Sequence, residues 1–188
     1  MLMAGWEFVG HGWIQKSLQF EEDEAAVIAK SADRLERLTG KKLRGWLGPG
    51  AGESFHTPDL IKAAGFDWIA DWLVDDLPCW MRTKHGPLIA MPYTFELNDV
   101  PLYLVQQLSS DEMLKRLEST INVFEVETKT HPKVLTLALH PHIMGVAHRA
   151  DILARCLDLL LARDDTVFVT GSEIADWFIA EDGTGGTA

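Results

Sequence analysis

The sequence predicts an α/β fold of parallel strands with outer helices, and three observations carry that expectation. Short β-rich runs alternate with longer helical patterns along all 188 residues. The run at 134–139, Val-Leu-Thr-Leu-Ala-Leu, is apolar on both faces, as a parallel strand sandwiched between layers would be. The residues best suited to chemistry stand at the ends of β-rich runs, His11 and His140 just after one and Asp71 at the end of another, where the loops at the carboxyl ends of parallel strands carry function.

The first β-rich run is 6–9, Trp-Glu-Phe-Val, and a helix is expected over 25–38, where Ala25, Ile28, Ala32, Leu35 and Leu38 recur at helical spacing. Thr57 reads as an N-cap with Pro58 in the first helical position, the helix running through Ala64 and ending at Gly65. A strand is expected over 66–73. After an irregular stretch comes another at 88–91, then a long helix over 110–127 with acidic residues in its first turn. The run at 134–139 precedes a helix at 150–161. Residues 167–169 form a last short strand, and Thr170-Gly171-Ser172-Glu173 opens the final helix with a capping-box pattern. Residues 1–180 are expected to form one domain, and the glycine-rich tail at 181–188 to be disordered.

Composition narrows the function. With 47% hydrophobic residues the chain can bury a core, and its formal charge of −11 disfavours nucleic acid and anionic membrane as partners, since both repel an acidic surface. No stretch approaches the length of a membrane span, and the start has no basic n-region, so a cytoplasmic location is expected. Cys79 and Cys156 lack any metal-ligand or disulfide-framework spacing and are expected to be reduced thiols. A homo-oligomer is compatible with all of this.

Several polar residues stand where a site would form. His11 lies between two glycines, which allow a tight turn and close approach of a ligand. His140 ends the apolar run and titrates near neutrality, so it suits general acid or base work, the other reading being a hydrogen-bonded structural histidine. Residues 71–76 gather Asp71, Asp75 and Asp76 beside Trp72, for catalysis, metal binding, orientation of a histidine, or merely a solvated loop. Asn98, in a polar cluster with Glu96 and Asp99, suits a hydrogen bond to an amide or the closing of a turn. Among seven tryptophans most are expected in the core, with one or two walling a pocket. The candidates for substrate contact are Trp13, Gln15, Trp46, Trp72, Asn98 and His142.

Taken in order, His11-Gly-Trp-Ile-Gln15, then Thr39-Gly40 with Gly45-Trp-Leu-Gly-Pro-Gly50, then 65–76, then Leu137-Ala-Leu-His-Pro-His142 resemble the motif series of the polysaccharide deacetylase family, the chitooligosaccharide deacetylase homology domain. The resemblance spans roughly residues 6–177. It implies the C-terminal part of a distorted (β/α)7 barrel. In that family an aspartate and two histidines four apart hold a metal, a second aspartate is the base and a later histidine the acid. Here His11 matches the first histidine and His140 the last, but Gln15 replaces the second histidine and Leu47 stands where an arginine usually orients the base. These departures resemble the metal-independent branch that includes allantoinases and related cyclic-amide hydrolases.

The resemblance therefore implies a hydrolase of carbon–nitrogen bonds other than peptide bonds, acting on a small linear or cyclic amide without a cofactor. His140, His11, Asp71 and Asp76 are its catalytic candidates. One alternative is a metal-dependent deacetylase of N-acetyl sugars with a divalent ion such as zinc at His11, and a second is a non-catalytic binding domain. The family's first strands and aspartate pair lie many tens of residues before its paired histidines, whereas ten residues precede His11. An N-terminally truncated chain is expected, which by itself would be an incomplete enzyme.

Overall fold

The computed structural model describes residues 2–182. Within them the chain forms two compact units, one of residues 2–92 with 169–182 and the other of residues 93–168. Among the described residues no helix is long and apolar enough to cross a membrane.

The first unit is a mixed sheet with helices. Strands β1 (Gly45–Trp46), β2 (Trp68–Ile69), β3 (Cys79–Thr83) and β4 (Gly86–Ala90) lie in the order β1-β2-β4-β3. β1, β2 and β4 run parallel, and β3 returns antiparallel to β4 through the two-residue turn Lys84-His85. Beyond β1 the chain adds one parallel bridge, Gly10 to Trp46, with Gly10 N–H donating to the Gly45 carbonyl at 2.9 Å and Leu47 N–H to that of Gly10 at 2.9 Å. The expected strands at 6–9 and 66–73 thus shrink to a bridge at Gly10 and a two-residue strand. The expected strand at 88–91 lies largely within β4, and β3 arises from the stretch read as irregular.

Glycines set the spacing of this sheet. A Cβ on Gly10 would fall inside the ring of Trp46, and one on Gly45 inside the indole of Trp68, which also abuts Gly171. Trp46 is fully buried and meets Phe66 edge to face at 5.6 Å, in a core with Leu18, Ile28, Ile61, Ile69 and Leu88. Arg44, just before β1, joins Asp67 at 2.6 Å and clasps both oxygens of Asp176, fastening β1 to β2 and to the last helix.

Helix α1 (Glu24–Thr39) follows the expected spacing closely. Asp23 caps it by accepting from Ala26 N–H at 2.9 Å, and Gly40 ends it at φ 70°. Helix α2 (Thr57–Ala63) starts one residue before expectation: His56 takes the cap position, and the Thr57 hydroxyl instead donates to Glu24 at 2.6 Å while accepting from Ser54 N–H. The capping box is present as expected, with Thr170 N–H donating to Glu173 at 2.6 Å and Glu173 N–H to the Thr170 hydroxyl at 3.2 Å.

The second unit is mostly helical, comprising α3 (Glu112–Glu127), the short α4 (Pro141–Met144) and α5 (Ala147–Leu161), with a π-helical turn at Val100–Val105. Its core joins Leu97, Leu102, Met113, Leu117, Ile121, Ile143, Met144 and Cys156. The apolar run at 134–139 packs Leu135 and Leu137 against that core, yet pairs as a strand only through a parallel bridge of Ala138 with Asn98. Residues 167–169, expected as a strand, are exposed and form no strand.

The last helix, α6 (Gly171–Asp182), belongs to the first unit and extends two residues into the expected tail. The rest of that tail, 183–188, lies outside the described residues. Cys79 and Cys156 are both free, and burial pushes the Cys156 thiol up to about 11.

Because the Gly45 backbone and the Trp68 ring share the space a side chain would need, Gly45→Ala is expected to destabilise the protein by about 2 kcal/mol or more through overpacking. Urea unfolding monitored by circular dichroism measures this, against an exposed control such as Lys129→Ala.

Candidate active site

Two polar clusters emerge, one in each compact unit. In the second unit backbone register creates the first. Asp99 N–H donates to the Ala138 carbonyl at 3.1 Å, and Ala138 N–H to that of Leu97 at 3.2 Å. Asp99 leaves that extended pairing with helical backbone angles, φ −66° and ψ −26°, at the start of the π-helical turn, and its carboxylate reaches His140 two residues past Ala138. The Asp99 carboxylate is wholly buried; one oxygen meets His140 Nδ1 at 2.6 Å and the other accepts the His140 backbone N–H at 2.6 Å. With the proton of the neutral ring held on Nδ1 by that contact, Nε2 keeps its lone pair and faces away from the carboxylate. The His140 side chain is 37% exposed, so the ring can meet a substrate. His142, exposed, stands edge to face with it at 5.8 Å between ring centres.

Asn98 turns out to be engaged in holding this geometry. Its amide donates to the Tyr93 hydroxyl at 2.7 Å, and its oxygen accepts Val100 N–H at 2.8 Å, closing the turn. Of the two readings given to Asn98, turn closure is the one these bonds serve.

The first unit holds the second cluster. His11 Nδ1 contacts the Leu47 carbonyl, and Nε2 lies 3.2 Å from the Gln15 side-chain amide. The Gln15 side chain presents its oxygen to Nε2, so each ring nitrogen has an oxygen partner. The ring is thus engaged on both sides. Among the described residues no three His, Cys, Asp or Glu side chains gather as metal ligands. One imidazole and a neutral amide do not fit a zinc-like ion.

Asp71 follows β2 and is buried, one oxygen accepting Gly48 N–H at 2.7 Å. Beside it lies Glu53, which accepts the Trp72 indole N–H at 2.6 Å. Burial, reinforced by the neighbouring Asp71 charge, lifts the Glu53 carboxyl from about 4.5 to about 8. Burial likewise lifts Asp71 from 3.8 to about 6, although the Gly48 N–H, Glu53 and His11 pull it back.

Other candidates fall elsewhere. Trp46, expected as a substrate contact, is in the core with no exposed surface; the bulk that suggested a pocket wall instead fills the space over Gly10. Trp13 is partly exposed, with the Lys30 ammonium 3.7 Å from its ring centre. Asp76 sits in the loop between β2 and β3, five residues past Asp71. An open cleft of about 760 Å³ lies beside the β3–β4 hairpin, walled by Phe55, Trp72, Trp80 and Met81.

Sequence reading passed over two residues, Asp99 and Glu53. Asp99 was visible only as one member of a polar cluster. Its importance comes from a pairing across 41 residues, for which the run ending at His140 gave half the signal. Glu53 sits in a glycine-rich loop without periodicity, and no local signal marks it.

No family model matches the sequence, and no curated protein matches it. Solved structures do. The chain resembles a protein of Pseudomonas aeruginosa PAO1 assigned as a polysaccharide deacetylase, at 26% identity and a TM-score of 0.86, over 96% of this chain and 62% of that one. It also resembles the PuuE allantoinase, at 26% identity and a TM-score of 0.88, over 96% of this chain and 61% of that one. A third likeness is to a Mycobacterium smegmatis protein assigned as a polysaccharide deacetylase, at 23% identity and a TM-score of 0.84, over 96% and 65%. The chain shares the polysaccharide deacetylase fold. It spans about three fifths of the length of the first two structures. The expected α/β class with a mainly parallel sheet agrees with these structures.

The raised carboxyls of Glu53 and Asp71 give stability a definite pH dependence. Each binds its proton more tightly folded than unfolded, so its contribution favours folding at low pH and is lost as pH rises. The melting temperature is expected to fall between about pH 5 and pH 8 and to level off above, which differential scanning calorimetry across that range would check.

Proposed function

We propose that the protein is a hydrolase, or the part of one, that cleaves a carbon–nitrogen bond in a linear or cyclic amide without a metal. His140 would be its general acid and base. The observation that carries this reading is the buried Asp99 carboxylate spanning both the ring and the backbone of His140. A structural histidine needs one partner; an imidazole gripped at Nδ1, with Nε2 turned outward, is arranged to move protons. The structural neighbours, named as polysaccharide deacetylases and an allantoinase, are consistent with a superfamily of carbon–nitrogen hydrolases. Their fold supports the finer proposal that the sheet is part of a distorted barrel.

In this scheme water attacks the amide carbon as Nε2 takes its proton. Asp99 stabilises the imidazolium that results. Nε2 then returns the proton to the leaving nitrogen as the carbon–nitrogen bond breaks, restoring the neutral ring. Backbone or side-chain N–H groups would hold the oxyanion. His11 and Asp71 enter the proposal through their motif positions. The donors around His11 favour the metal-free reading over a zinc-dependent deacetylase.

Screening linear and cyclic amides supplies a substrate, and His140→Ala then lowers kcat/KM by about 100-fold or more with the circular dichroism spectrum retained. Asp99→Asn lowers it as well by disturbing the tautomer. Unchanged turnover in His140→Ala, or a stoichiometric divalent ion whose removal abolishes activity, would overturn the proposal.

A further inference from the structure

Glu53 and Asp71 present an unusual accounting of hydrogen bonds. Each uses one oxygen: Glu53 Oε2 accepts the Trp72 indole N–H at 2.6 Å, and Asp71 Oδ1 accepts Gly48 N–H at 2.7 Å. The other two, Glu53 Oε1 and Asp71 Oδ2, are buried and meet no donor. The two carboxyls are neighbours, each acting on the other through its side chain. As two carboxylates the pair would bury two like charges and two unpaired acceptors, each costly. A single proton between them removes both problems.

We propose that Glu53 is a positioning residue for Asp71: at neutral pH it is a carboxylic acid whose Oε1–H donates to Asp71 Oδ2, so that the two side chains hold one proton and Asp71 stays a fixed carboxylate. Proton and charge balance without another group, since one acid and one carboxylate carry a net charge of −1. The surroundings favour this state. Asp71 accepts from Gly48 N–H and feels the nearby His11, which draws the negative charge to its side of the pair. Glu53 faces Glu24, whose carboxylate is held by the Thr57 hydroxyl at 2.6 Å and repels a second charge on Glu53. The indole N–H of Trp72 partly opposes that repulsion. Gly48 keeps the contact open, because a Cβ there would come within 2.9 Å of Asp71 Oδ2 and 3.2 Å of the buried Trp46 indole nitrogen.

The role assigned to Asp71 rests on the hydrolase reading, but the shared proton does not. Glu53→Gln tests it, because the amide can accept from Trp72 and donate to Asp71 while having no proton to lose; Glu53→Ala removes both bonds. Infrared difference spectroscopy of the full chain reads the carboxylic acid carbonyl band directly. The wild type should show one buried acid at pH 7 that ionises near pH 8, and Glu53→Gln should lack it. The fall in melting temperature with pH should shrink in Glu53→Gln, which should stay as stable as wild type at pH 6, whereas Glu53→Ala should be less stable. With a substrate in hand, the wild type should lose activity above about pH 8 and Glu53→Gln should extend that limb to higher pH with kcat near pH 7 preserved. An acid band that persists in Glu53→Gln, or a pH dependence of melting identical in the two proteins, overturns the proposal. Absence of any hydrolysis, with the spectroscopic and melting results as expected, would instead remove only the hydrolase reading.

Discussion

Two indole rings resting on glycine backbones set the dimensions of the first unit. Trp46 occupies the space beside Gly10, and Trp68 the space shared by Gly45 and Gly171. A side chain at any of these glycines would push a ring away, so the close approach of neighbouring segments depends on having no Cβ there. This close approach places the polar residues. With Gly10 bonded to Gly45 and Leu47 on both sides, His11 emerges beside the Leu47 carbonyl, and Asp71 emerges after β2 against Gly48. The polar cluster is thus a consequence of how tightly an apolar core is packed beneath it.

The two clusters use opposite electrostatic strategies. Around His140 a fully buried carboxylate is made tolerable by two donors from one residue, and that double grip fixes a ring. Around Asp71 two neighbouring acids have few donors, and burial raises both carboxyls. The first arrangement fixes the orientation of a ring, whereas the second responds to pH near neutrality.

Helices were legible because their signals are local. The spacing of Ala25, Ile28, Ala32 and Leu35, the cap at Asp23 and the reciprocal bonds of Thr170 and Glu173 all lie within a few residues of one another. Strands were less so. The run at 134–139 is apolar because Leu135 and Leu137 pack on a helical core, and apolarity records burial without recording which neighbour a backbone pairs with. β3 escaped notice since Cys79, Trp80, Met81, Arg82 and Thr83 show no clean alternation. His140 could be singled out at the end of its run, but Asp99, which orients it, is visible only once Asn98 and Ala138 are known to pair. Residues chosen for their aromatic bulk fared differently: Trp46 satisfied the demands of packing, and Trp72 those of a carboxyl partner.

The bridge between Asn98 and Ala138 also divides the intervening chain by its tolerance of length. Residues 128–132, after α3, are exposed throughout, and loop closure costs grow slowly with length, so insertions there leave the pairing intact. One residue added between Ala138 and His140 would do the reverse. Side chains on an extended segment alternate faces, and the imidazole would leave the Asp99 carboxylate for the opposite side. Variation in this protein over evolutionary time should therefore accumulate as changes of length in that connection, while the two-residue step from Ala138 to His140 stays invariant in count even where its residues change.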